Sequence, residues 1–132
     1  MLEYKSLTNL SYLAICVYRD KNNELTMTEI YELLGKHFLF GYEIWNNGKR
    51  EGVAFAKQVG NAYTLDGYNE GKHFFGAVCG GRKVCEELFE KHTDVIWTAH
   101  PEKERLITLL AKRIGFKEIK RGLGYVVLKL EK

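Results

Sequence analysis

An α+β domain, with a mixed, mainly antiparallel sheet and helices on both faces, is predicted by three features of this sequence. Residues 39–68 hold three short β-rich runs separated by turn residues, the texture of an antiparallel meander. On either side of that block, apolar residues recur at helical spacing behind capping residues. The chain then closes on two more β-rich runs that flank Arg121-Gly122-Leu123-Gly124, a final hairpin turn.

In chain order, residues 2–5 form a short first strand. Ser6 or Thr8 caps a helix that turns Leu7, Leu10, Leu13, Ala14 and Val17 inward. The apolar run 13–18 also fits a strand, since short runs are ambiguous by period, and helix is favoured. Residues 19–24 are a polar connection. Thr26-Met27-Thr28-Glu29 has capping-box form, in which a hydroxyl and a carboxylate satisfy each other's free amides. Ile30, Leu33 and Leu34 give the next helix its apolar face, and Gly35 ends it.

The three central strands are expected at 39–45, 52–58 and 62–68, with Asn47-Gly48 and Gly60-Asn61 in the turns. Within the second, Val53 and Phe55 alternate with Ala54 and Ala56. A helix over 82–91 and a strand over 94–99 follow. A helix over 102–114 puts Leu106, Leu109, Leu110 and Ile114 on one stripe. Gly115 stops that helix, where a left-handed residue is needed, and Phe116 re-enters the core.

A chain of 132 residues with 45% hydrophobic and 28% charged residues reads as one ordinary globular domain. A net charge of +3, spread without basic runs, does not indicate nucleic acid. Cys16, Cys79 and Cys85 are odd in number and lack C-x-x-C spacing, so neither a disulfide framework nor a zinc site is implied. No basic-then-apolar leader opens the sequence, and no apolar run approaches the roughly 20 residues that span a bilayer. A cytoplasmic protein is expected.

The helix ending "AKRIGFKEI", followed by a hairpin, resembles the C-terminal end of the GCN5-related N-acetyltransferases (GNAT). The order β-α-α-β-β-β-α-β-α-β-β is similar to theirs over nearly the whole chain. The resemblance implies an acyl-CoA-dependent N-acyltransferase that moves an acetyl group from acetyl-CoA to an amine, on a small molecule or a protein. In that family strands four and five splay apart, and amides at the start of the helix between them hold the coenzyme A pyrophosphate. Unpaired amides and the helix dipole suit an anion there. The family's R/Q-x-x-G-x-G/A has its counterpart in Cys79-Gly80-Gly81-Arg82-Lys83-Val84, which offers glycines and two cations at a different spacing. With a helix starting at Arg82, the cofactor-binding set is Gly80, Gly81, Arg82, Lys83 and Val84. A second reading stays open. Phe74, Ala77, Val78, Gly81, Val84, Cys85 and Leu88 fall at helical spacing, so one long helix from about Glu70 also fits, with phosphate amides then supplied by 69–72. A mid-helix glycine costs about 1 kcal/mol against alanine, which favours the break.

Acetyl transfer needs an amine that loses a proton and a tetrahedral intermediate that expels a thiolate. By the resemblance, the strand 94–99 takes the pantetheine arm, and Asp66, Glu70 and His73 lie nearest the position of the base, Asp66 and His73 closest to the amine. Asp66 in "LDG" also reads as a turn residue, and His73 beside two phenylalanines as a packed one. The family's usual acid, a tyrosine four residues before Gly-Phe, is Ala111 here, and its usual asparagine is Glu104; Tyr68 or Tyr125 would substitute as acid. The "YRDKNNE" and "TLDGY" stretches look like short, divergent acetyltransferase-like proteins of bacteriophages, some of them virion or host-takeover proteins. The alternative expectation is therefore a GNAT-fold binding protein without catalysis. His92 and His100 flank a strand with no third metal ligand in sight, and Cys85, a nucleophile only with His100 as its base, lies on the apolar face of its helix, which favours packing.

Overall fold

The computed structural model describes residues 1–19, 24–70 and 74–132. Its elements are β1 (Leu2–Ser6), α1 (Leu10–Arg19), α2 (Met27–His37), β2 (Phe38–Asn46), β3 (Lys49–Val59), β4 (Ala62–Asn69), α3 (Phe74–Lys91), β5 (Val95–Pro101), α4 (Arg105–Ile114), β6 (Lys117–Gly122) and β7 (Tyr125–Glu131). One seven-stranded sheet runs β1-β2-β3-β4-β5-β7-β6. Every neighbouring pair is antiparallel except β4 and β5, which are parallel. The predicted class and element order are both present.

Local chemistry sets most of the boundaries. Asn47 and Gly48 take φ of 52° and 79° in the β2–β3 turn, the left-handed pair that matches strand twist. Thr26 and Glu29 form the expected capping box on α2. The cap of α1 is Asn9 rather than Ser6 or Thr8: its Oδ1 accepts from the amides of Ser11 at 3.0 Å and Tyr12 at 3.3 Å. Helix α2 runs past Gly35 to His37 before its chain turns straight into β2. At the end of α4, Gly115 adopts φ 127° and its amide reaches the carbonyls of Ala111 and Lys112.

The sheet carries a core on each face. Leu13, Ala14, Ile30 and Leu34 from α1 and α2 pack on Val53 and Phe55. Val84, Cys85 and Leu88 from α3, with Ala111 from α4, pack on Ile44, Ala54, Ala56 and Ile96. Both sets of alternating β3 residues are therefore buried, because helices cover the strand on both sides. The α4 stripe is rotated from the expected one. Leu106 and Leu109 are 70% and 56% exposed, while Leu110, Ala111 and Ile114 point at the sheet.

Helix α3 is continuous through Gly80 and Gly81, which corrects the expected break before Arg82. Gly80 lies on Ile44 and Ala54, and Gly81 against Ile114 and Leu65. The missing side chains let the helix settle closely on the sheet and on α4, and that contact offsets the propensity cost of glycine. Among the described residues no helix is long and apolar enough to cross a membrane.

Candidate active site: the cleft between β4 and β5

Strands β4 and β5 meet at one register position, Thr64 opposite Trp97. The Thr98 hydroxyl donates to the Leu65 carbonyl at 3.0 Å and pins the apex. Beyond it the strands part, because each has another partner: β4 stays with β3 to Asn69, and β5 stays with β7 to Pro101. A cleft of about 410 Å³ opens between them, walled by Ala77 and Gly81 of α3 and by Ile107, Leu110, Ala111 and Ile114 of α4. Neither Phe74 nor Phe75 lines it, and Phe75 is 72% exposed. The gap is an outcome of topology: a parallel pair seated between two antiparallel units is held only where both units allow.

The structure redistributes the expected site residues. Amides inside an α-helix bond to carbonyls four residues back, so those of Gly80, Gly81, Arg82, Lys83 and Val84 lie within α3 and form no phosphate loop. Their side chains are also committed. Arg82 donates to the Arg113 carbonyl at 2.7 Å, at the end of α4. Lys83 lies over the rings of Tyr4 and Tyr42 at 5.3 and 4.9 Å. Val84 is fully buried. Gly81 alone of the five borders the cleft.

Asp66 lines the cleft, held by Lys57 at 3.2 Å and by the Thr64 hydroxyl at 3.2 Å. His73 lies outside the described residues, as do residues 71–72 of the alternative phosphate segment. Glu70 accepts from the Tyr12 hydroxyl at 2.7 Å, and the Arg50 guanidinium stacks over that ring at 3.5 Å. Burial, then the bond to Glu70, pushes the Tyr12 phenol well above its ordinary range. Tyr68 lines the cleft and stacks on Phe55, whereas Tyr125 pairs with Pro101 at the end of the β5–β7 ladder and is exposed. Ala111 is buried in the cleft wall, so the α4 side presents a methyl group where the resemblance puts a hydroxyl.

Two buried polar residues at the cleft had no role in the sequence reading. His100 Nδ1 lies 2.8 Å from the Pro101 carbonyl and so carries the proton it donates, leaving Nε2 to accept from the Thr108 hydroxyl at 2.9 Å. Glu51 is only 7% exposed, and its Oε2 has no hydrogen-bond partner. It sits where the β2–β3 register slips between Ile44 and Trp45, one extra residue on β3, and its Oε2 lies against Gly76 in the first turn of α3. No sequence pattern marks such a bulge.

Other candidates are structural. Burial, with Glu86 adding, pushes the Cys85 thiol up to about 12, so it stays protonated within the core. His92 stacks on Phe40 and Tyr63. No group of three metal-ligating side chains occurs among the described residues.

No protein-family model matches the chain, and no curated protein matches its sequence. Solved structures do match in shape. An acetyltransferase from Agrobacterium tumefaciens superposes with a TM-score of 0.75 at 12% identity, over 99% of this chain and 91% of its own. The Campylobacter jejuni N-acetyltransferase PseH, in complex with acetyl coenzyme A, gives 0.69 at 10% identity over 100% and 99%. The ribosomal-protein alanine N-acetyltransferase of Escherichia coli gives 0.68 at 18% identity over 99% and 94%. The class defined by these likenesses is one of architecture: the chain has the GNAT acetyltransferase fold.

Proposed function

We propose that the protein is an acyl-CoA-dependent N-acyltransferase that transfers an acetyl group from acetyl-CoA to an amine. The parting of β4 from β5 carries this reading, since it leaves a narrow, largely apolar slot open between two strand edges. Its volume and largely apolar lining suit the slender pantetheine arm, and the fold's neighbour PseH is seen with acetyl coenzyme A. The facing edges at Gly67 and Ala99 supply main-chain groups for that arm. Helix α3 starts beside the open end of the slot, and the first-turn amides of a helix suit the diphosphate. The neutral acceptor amine attacks the thioester carbonyl, the oxyanion collapses as the C–N bond is kept and the C–S bond breaks, and the proton lost by the nitrogen ends on the departing thiolate. Asp66 is the described residue of the two expected nearest the amine, although its carboxylate is already engaged by Lys57.

Isothermal titration with acetyl-CoA tests the reading. Saturable binding that disappears in Ala99→Trp, which fills the slot from an exposed position, is the expected result. No heat at millimolar acetyl-CoA would remove it. A second reading, a non-catalytic GNAT-fold binding protein of the kind encoded by bacteriophages, draws support from Ala111, a methyl group where the resemblance puts a hydroxyl. It predicts acetyl-CoA binding with no coenzyme A thiol released across a panel of amines.

A further inference from the structure

Among the described residues, Glu51 is the one buried side chain of the cleft wall with an oxygen that has no hydrogen-bond partner. A buried carboxylate oxygen without a donor is costly, because the water it gave up is not replaced. Among the described residues no group donates to it. Its Oε2 lies against Gly76 of α3, and the neighbouring Arg50 side chain is held over the Tyr12 ring. The rest of the wall repeats the same sign of charge. Its described ionisable side chains are Glu51, Asp66, Glu104, Tyr68 and His100, with no lysine or arginine among the described lining residues. Asp66 is paired with Lys57, and both ring nitrogens of His100 are engaged, which leaves Glu51 as the open acceptor.

We propose that Glu51 holds the ammonium form of the acceptor inside the cleft, so that the acceptor arrives as a cationic alkylamine rather than as a neutral or anionic amine. That ammonium gives up a proton before its nitrogen attacks. The inference rests on the acyltransferase reading for the word acceptor, and it deepens that reading by fixing the charge class of the second substrate. An ammonium offers three N–H donors and a balancing charge, and a charge-assisted bond is about twice as strong as a neutral one. An anionic acceptor meets three carboxylates and, among the described lining residues, no lysine or arginine, which is a barrier to entry as well as to binding.

The experiment titrates n-butylammonium chloride and, separately, butan-1-ol into wild type, Glu51→Gln and Glu104→Gln, with acetyl-CoA titrated into each protein in parallel. Gln keeps the shape of the side chain and a hydrogen-bonding oxygen while removing the charge, and thermal melts report whether each variant folds. Glu104→Gln removes a charge from the same wall. Wild type should bind butylammonium in preference to butanol; Glu51→Gln should weaken the ammonium at least tenfold, and Glu104→Gln by less than twofold. Each folded variant should still bind acetyl-CoA saturably. Equal binding of the ammonium by wild type and a folded Glu51→Gln, or no preference for the cation in wild type, overturns the assignment. Failure of wild type to bind acetyl-CoA overturns the acyltransferase reading instead, and the two failures are separate readings of one set of titrations.

Discussion

Replacing Gly80 by alanine tests the continuity of α3 and the reason for it. A Cβ at this position would lie 2.8 Å from Ile44 Cγ1 and closer still to Ile44 Cδ1. Ile44 is 3% exposed and belongs to the core, so the collision has little room to relax. Overpacking of this kind costs about 1–3 kcal/mol. Alanine in place of a mid-helix glycine returns about 1 kcal/mol. The net expectation is a loss of about 1 kcal/mol. Gly81→Ala is the internal control, since its Cβ meets the terminal methyl of the half-buried Ile114 at 2.5 Å, and other neighbours stand at 3.5 Å. That methyl can rotate away, so the helix gain is kept and the change is neutral or stabilising by up to about 1 kcal/mol. Urea denaturation of both variants, at unchanged m, measures the difference. If Gly80→Ala is as stable as wild type, or if the order of the two variants is reversed, the packing argument for the uninterrupted helix is wrong.

Further predictions follow from individual contacts. Thr108→Val leaves His100 Nε2 without its donor in a buried site and should cost about 1–3 kcal/mol in the same denaturation assay. Cys85 should resist iodoacetamide in the folded protein at pH 8 and react after denaturation, because its thiol is pushed up to about 12 inside the core; rapid labelling of Cys85 in the native state would contradict its placement. Tyr42, through its bond to Glu87 first and its burial second, has its phenol pushed up to about 12. The folded value lies above the unfolded one, so this contribution to stability is complete below pH 10 and is lost as pH rises towards 12. Ultraviolet titration should show a late-ionising tyrosine that shifts back towards 10 in Glu87→Gln. Thr26→Ala removes the capping box of α2 and should cost about 1 kcal/mol, read from the same urea curves.

The fold was legible where local chemistry decides it. Asn47-Gly48 has one favourable use between two β-rich runs, Thr26 and Glu29 cap each other, and Gly115 ends a helix at positive φ. Misreadings arose where tertiary contact overrides a local preference. Gly80 and Gly81 look like a break when propensity is read alone, and their purpose appears only once Ile44 and Ile114 are seen above and below them. Leu106 and Leu109 complete an apolar stripe in sequence, yet α4 meets the sheet through Ala111 and Ile114 and leaves both leucines outside. The strand 94–99 was recognisable as a cleft wall through the resemblance, whereas Glu51 was not, since it is the extra residue of a register slip in β3 against β2. His100 could be seen as a histidine but not as a satisfied one, because Thr108 arrives from a different element.

The most direct measurement is an amide-resolved NMR titration of the wild-type protein with acetyl-CoA. The largest saturable shifts should fall on Gly67 and Ala99, which face each other across the gap between β4 and β5. Largest shifts at Lys83, on the far side of α3, or no shift anywhere, would contradict the claim that the parted strands are the binding site.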